Sequence, residues 1–321
     1  MISLKLNDKA AESHFLLIEK LLTSRISNVI KNGIRKKSGK IFVVLKPNKD
    51  LLNYLNFLLI SGNLKKLITA KPDGLIKIIS DLNKNYTEFL DSKSESNRIL
   101  YNIFVSSCYD TKKFSKHDFI TIINLDTCPY CNRNYIYYLA KKDEIKPQID
   151  HFFPKSKYPF FAMSFYNLIP SCQTCNGLEV KGEKDPVKLK ITNPYQIMDT
   201  DFTFSYKILT SGIISSLLDK NSVKVELTSS LTGNLEVFKL KELYELHSDH
   251  VVELVFKSKI KYSDTYRKYL KKYREKGIFF SDNEVDRMIL GNYTNIDDIH
   301  KRPFSKLYQD IGLDLGLIKK K

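Results

Sequence analysis

Two kinds of hydrophobic spacing divide the chain. In "ESHFLLIEKLLTSRISNVIKN" (12–32) and "DGLIKIISDLNKNYTEFL" (73–90) apolar residues recur every three or four positions, which predicts amphipathic helices. Between them, "GKIFVVLKPN" (39–48) is β-branched and ends in proline, so it suggests a single strand or extended crossing. Farther on, "DFTFSYKIL" (201–209) and "SVKVELTS" (222–229) alternate as strands do, and "LTGN" (231–234) closes the second. Long helices are expected from about 238 to 276, with short ones around "NEVDRMIL" and "FSKLYQDIGLDLG".

The stretch from 121 to 190 follows neither period. It carries Pro129, Pro147, Pro154, Pro159, Pro170 and Pro186 and reads as rich in turns and loops. Only "PQIDHFF" (147–153) and "FYNLIPS" (165–171) suggest strands there. "CQTCNGLEVKG" (172–182) suggests a helix with Ser171 as its N-cap. An α+β chain follows, with a mainly helical region 1–120, a central module 121–190 and a region 191–321 of two strands then helices. Neither repeats nor low-complexity linkers mark the boundaries.

Composition narrows the class. At 42% hydrophobic residues the chain can build real cores and is not a disordered one. The longest apolar tract, "LLNYLNFLLI", is broken by Asn53 and Asn56 and is far too short to span a bilayer. The opening "MISLKLNDKAAESHF" lacks the apolar core of a secretory signal. The expectation is a cytoplasmic protein with no membrane partner. Lys and Arg number 52 against 36 Asp and Glu, and the resulting +16 favours a polyanionic partner, although a generally basic surface would read the same way.

Four of the five cysteines change the picture more than the charge does. Cys128-Pro-Tyr-Cys131 and Cys172-Gln-Thr-Cys175 form two C-x2-C pairs. Two intervening residues let a tight turn aim both thiolates at one tetrahedral ion, and two such turns complete a structural zinc site. A redox C-x2-C needs one pair in a βαβ setting and has no use for a second. Cys108 stands apart and reads as a small buried apolar residue.

The clamp pins a segment holding Asp150, His151 and Asn167, with Asn176 at its closing pair. Asp150 and the side-chain oxygen of Asn176 are hard ligands suited to Mg²⁺ or Mn²⁺. Neutral His151 can accept a proton from water, and Asn167 can bridge the hairpin loop to orient the imidazole. Adjacent strand residues face opposite ways, so Asp150 and His151 could serve as metal ligand and base back to back. Taken singly, each is ordinary: a structural histidine at a strand end, and asparagines at turns and caps. The combination inside a cysteine clamp is what points to chemistry.

The order of the cysteine pair, Asp150-His151-Phe152-Phe153-Pro154, Asn167-Leu168-Ile169-Pro170 and Cys172-x2-Cys175-Asn176 resembles the zinc-ribbon branch of the HNH endonucleases. That resemblance implies a ββα-metal core that cuts nucleic acid, most simply DNA, with one divalent ion. It implies His151 as general base, Asp150 and Asn176 as catalytic-metal ligands, Asn167 as the supporting central Asn, and the four cysteines as zinc ligands. The closing lysine of the family lies nearer the last Asn than Lys181 does, so Lys181 is a candidate phosphate contact, as are Lys155 and Lys157 in the loop. Helical flanks around this core, the tail holding "FKLKELYELHSDH", are similar to HNH subunits of bacterial anti-phage systems of the Septu and retron-associated kinds. Those often act beside an ATPase.

Other patterns carry less. Tyr262, Tyr266, Tyr269 and Tyr273, amid Arg267, Lys268, Lys271, Lys272 and Arg274, suit a helix packing its tyrosines on the core, with a basic face available to DNA. His247 and His250 lie a turn apart without a third ligand in view. "KKSGK" (36–40) lacks the full phosphate-loop pattern.

Overall fold

The first helix shows how the N-terminal region is organised. In the computed structural model, which describes residues 1–38, 41–139, 145–210, 219–259 and 262–319, α1 spans Asp8–Asn32. Asn7 caps it by accepting from the Ala10 amide at 3.0 Å, and Gly33 ends it at φ 68°, a left-handed value that favours glycine. Its buried stripe (Ala11, His14, Phe15, Ile18, Leu22, Ile26 and Val29) packs on α2 (Lys49–Leu59), α3 (Asn63–Ile68) and the segment 102–109. α4 (Pro72–Asn85) and α5 (Glu95–Tyr101) complete this layer.

The strand expected within 39–48 forms at 41–45, where it is one half of a hairpin. β1 (Ile34–Ser38) pairs antiparallel with β2 (Ile41–Leu45), Ile34 opposite Leu45. Ile34 is buried and Leu45 packs against the core, but Ile41, Phe42, Val43 and Val44 farther along this two-stranded sheet remain exposed.

α5 runs directly into a π-helical stretch, Asn102–Tyr109, which no periodicity announces. α6 (Lys116–Ile123) then leads into the cysteine module. There β3 (Gln148–His151) pairs antiparallel with β4 (Leu168–Ser171), Asp150 opposite Ile169 and His151 opposite Leu168. The expected helix after it is a single turn, α7 (Gln173–Asn176), and its N-cap is Cys172, not Ser171. Ser171 is the last residue of β4, paired with Gln148, so its backbone cannot also open the helix.

A third hairpin, β5 (Thr203–Ile208) with β6 (Val223–Thr228), agrees with the alternation read from the sequence. The "LTGN" segment behaves differently, since Thr232–Val237 is helical (α8). A Cβ on Gly233 would lie 2.2 Å from the Leu189 carbonyl oxygen, so glycine there serves close backbone approach. The long helical run is broken into α9 (Leu240–Glu245), α10 (Ser248–Lys259) and α11 (Tyr262–Lys271). α12 (Asp282–Leu290) and α13 (Ser305–Asp314) follow. The chain is α+β, its described sheets are three two-stranded hairpins, and the buried core runs through all three regions. Among the described residues no helix is long and apolar enough to cross a membrane.

His14 ties the first layer to the central module. Its Nε2 meets the Met163 carbonyl at 2.8 Å, and its ring packs edge-on against Phe114 and Phe119 with full burial. Burial pushes its pKa down to about 4, against the weaker upward pull of that carbonyl. The unfolded chain would protonate it below roughly pH 6.5, so its contribution is complete above that value and lost as pH falls towards about 4. The shift corresponds to stability on the order of 3 kcal/mol. Denaturant unfolding at pH 7, 5.5 and 4.5 should therefore show a shallower acid loss in a His14→Phe variant than in the parent chain.

Candidate active site

The four cysteines converge at the end of β4. All are buried, and their sulfurs lie within 4.8 Å of one another. Four Zn–S bonds of about 2.3 Å in a tetrahedron place sulfurs about 3.8 Å apart; Cys131 Sγ and Cys172 Sγ are 3.9 Å apart. The Arg133 amide donates to Cys131 Sγ at 3.4 Å and Asn134 Nδ2 to Cys172 Sγ at 3.3 Å, bonds that suit thiolates. Shared hydrogen bonding, that with Cys128 foremost, pulls the Cys172 thiol below its ordinary value. The donor set fits a structural zinc ion and leaves it no open position. Asn132, at φ 49°, turns the first pair back on itself, its amide bonding the Cys128 carbonyl at 2.7 Å. Cys108 is buried elsewhere, its thiol raised to about 11 by that burial.

Strand alternation sends Asp150 and His151 to opposite sides of β3. On one side His151 Nε2 lies 3.2 Å from the Ala162 carbonyl. A carbonyl only accepts, so Nε2 carries the proton and Nδ1 keeps the lone pair. The imidazole also meets the Tyr109 ring edge-on at 4.4 Å between centroids. Burial, with Lys155 next in weight and Lys181 and Lys116 behind it, pushes the His151 pKa down to about 3, so the ring is neutral at ordinary pH.

Asn167 organises the loop between the strands. Its Oδ1 accepts from the Phe153 amide at 2.7 Å, and its Nδ2 donates to the Phe161 carbonyl at 3.0 Å, one residue from the carbonyl that holds His151. The loop is packed with buried aromatics, among them Phe153, Tyr158, Phe160 and Phe161. Asn167 Nδ2 also reaches the Phe153 carbonyl at 3.3 Å, so Asn167→Ala would take the side-chain partner from both the amide and the carbonyl of buried Phe153, a loss of about 1–3 kcal/mol for each group. Urea unfolding should register a drop of that order, and an unchanged midpoint would show that the loop closes without the amide.

On the other side of β3, Asp150 is buried. Its Oδ2 accepts from the Tyr130 hydroxyl at 2.6 Å, and its Oδ1 lies 3.8 Å from Lys181 Nζ. Burial raises its carboxyl above the usual range, opposed by Lys181 and Tyr130. Gln148, two residues back on the same face, accepts from Asn176 Nδ2 at 2.9 Å, which leaves the Asn176 Oδ1 as a potential ligand. Asp150 and Asn176 thus offer a carboxylate and an amide oxygen, donors of the kind that suit Mg²⁺ or Mn²⁺, while a cation already stands at the carboxylate.

The candidate phosphate contacts are already engaged. Lys181 is wholly buried, its Nζ bonding the Lys184 carbonyl as well. Lys157 pairs with Asp185 at 2.7 Å. Lys155 pairs with Asp110 at 3.3 Å and lies over the Tyr109 ring, flanked there by Lys116. Sequence reasoning missed Tyr109, Tyr130 and Asp185. Only Tyr130 carried a signal, its place within the first cysteine pair.

Of the helical tyrosines, Tyr266 and Tyr273 pack against the core while Tyr269 is exposed; the side chains of Tyr262, Lys271 and Arg274 lie outside the described residues. His247 and His250 do gain a third neighbour in Asp249. His247 Nε2, however, already receives the Arg133 Nε proton at 3.0 Å, which uses the ring's lone pair, and His250 Nδ1 bonds Tyr308 at 2.8 Å.

Against known proteins, the chain is 36% identical over 74 residues to "Septu protein PtuB" of Bacillus thuringiensis, a match covering 22% of this chain and 28% of that protein. No family model matches the chain, and no solved structure does either.

Proposed function

We propose that this chain is a metal-dependent endonuclease of the HNH type that hydrolyses phosphodiester bonds in DNA. The observation carrying the proposal is the back-to-back placement of His151 and Asp150 on β3, each side chain held by its own partners. His151 Nδ1 takes the proton of a water as that water's oxygen bonds to phosphorus. The bond from phosphorus to the 3′ oxygen breaks, and solvent protonates the departing oxygen, giving a 3′-hydroxyl and a 5′-phosphate. An incoming phosphodiester anion raises the affinity of His151 for that proton. The Ala162 carbonyl holds the ring, and Asn167 ties down the aromatic loop that carries that carbonyl. A divalent ion bound by Asp150 and Asn176 would neutralise charge on the phosphate and the departing oxygen.

The similarity to the Septu protein supports a role in bacterial defence against phage. The resemblance to HNH subunits of such systems extends the proposal to an ATPase partner, without which the nuclease could be silent. The competing reading is a non-catalytic zinc module that binds nucleic acid or a partner, and the burial of Asp150 between Tyr130 and Lys181 is what favours it. Nicking of supercoiled plasmid by the zinc-loaded chain in Mg²⁺ or Mn²⁺, abolished by EDTA and by Asp150→Asn, is the expected result. Metal-independent nicking, or equal nicking by Asp150→Asn, would overturn the assignment. No nicking with zinc retained favours the binding module, unless an added ATPase subunit restores cutting.

A further inference from the structure

Asp150 has two oxygens, and different parts of the chain hold them. Oδ2 takes the Tyr130 hydroxyl at 2.6 Å, while Oδ1 faces Lys181 Nζ at 3.8 Å. Tyr130 belongs to the zinc knuckle, between Cys128 and Cys131, and its ring is fixed by stacking on Phe238 at 4.4 Å between centroids. Lys181 comes from the segment after α7, wholly buried, with its ammonium bonded to the Lys184 carbonyl and 5.9 Å from the Phe152 ring centre. A hydrogen bond to one oxygen of a ligating carboxylate fixes which oxygen remains for the metal. A divalent ion and an ammonium cannot share the same oxygen at close range without strong repulsion.

Resting on the reading of Asp150 as a divalent-metal ligand, we infer that Tyr130 is a positioning residue that turns Oδ1 towards the metal, and that Lys181 is the built-in cation the metal displaces. The zinc knuckle thereby governs the catalytic-metal site through a single hydroxyl. Lys181 acts in the opposite sense: it neutralises the buried carboxylate while no divalent ion is bound, so that the folded chain does not carry an unpaired buried charge.

The two roles predict opposite signs. Tyr130→Phe keeps the stacked ring and removes only the hydroxyl, and should weaken Mn²⁺ binding by about 10–100-fold. Lys181→Met keeps the aliphatic length and removes the competitor. It should bind Mn²⁺ more tightly, melt at a lower temperature without the ion, and show a larger upward Tm shift on Mn²⁺ addition than the parent chain. Mn²⁺ is titrated by electron paramagnetic resonance into zinc-loaded parent, Tyr130→Phe, Lys181→Met and Asp150→Asn chains, with zinc content checked at one per chain. Parent binding that Asp150→Asn abolishes and Tyr130→Phe leaves unchanged would overturn the positioning role while sparing the ligand assignment. Lys181→Met binding no tighter than the parent's would overturn the competitor role. Mn²⁺ binding indifferent to Asp150→Asn would sink the ligand assignment and the inference together. A merely structural hydroxyl would lower the Tm of Tyr130→Phe without moving its Mn²⁺ affinity.

Discussion

His151→Ala is expected to lower the rate of plasmid nicking by about 10²–10⁴-fold, the range a positioned general base supplies. The folded chain should survive the change. Among the described residues the imidazole makes one hydrogen bond, to the Ala162 carbonyl, and the loop carrying that carbonyl is held independently by Asn167. Zinc content and Mn²⁺ affinity should stay near parental values, since Asp150 and Asn176 lie across the strand from the imidazole. The expected signature is therefore a fall in turnover at constant metal affinity. Equal nicking by parent and variant would remove His151 from the chemistry. A fall matched by an equal loss of metal affinity would place the residue in the metal site instead.

Much of this arrangement was readable from short-range rules. The cysteine spacing concerns two turns, each four residues long, and the opposed directions of Asp150 and His151 follow from the two-residue period of a strand. Both are local, and the structure places the residues accordingly. What lay outside local reach was the company these residues keep. Tyr109 arrives beside His151 from a π-helical stretch, whose shifted register no apolar periodicity reveals. Lys181 reads as a candidate phosphate contact, and only the packing of the segment after α7 brings it to Asp150. Ser171 has the chemistry of an N-cap but is consumed by strand pairing with Gln148, a long-range demand that overrides its local preference. Likewise, a β-branched run at 41–45 announced one strand, while the basic run "IRKKS" that pairs with it carries little strand signal of its own.

Stripping the zinc is expected to have the largest effect on the fold, because the knuckle anchors more than its own loop. A four-thiolate zinc site can contribute on the order of 10 kcal/mol of apparent folding free energy, comparable to the whole stability of a domain. Here the turn at 128–134 also receives the C-terminal region: the Tyr244 hydroxyl donates to the Cys131 carbonyl at 2.6 Å, the Phe304 amide to the Asn132 carbonyl at 2.6 Å, and the Lys306 amide to Asn132 Oδ1 at 3.2 Å. Exhaustive chelation, or Cys172→Ser, should release the ion and cost the chain its cooperative unfolding transition. Amide exchange should quicken at 128–134 and 172–176 and, through those three bonds, around α9 and the start of α13. Re-addition of zinc to the chelated parent should restore protection at both places together. Exchange that quickens at the knuckle alone would mean that the C-terminal region docks without it. A metal-free chain with an unaltered transition would show that the four thiols need no ion to hold their geometry.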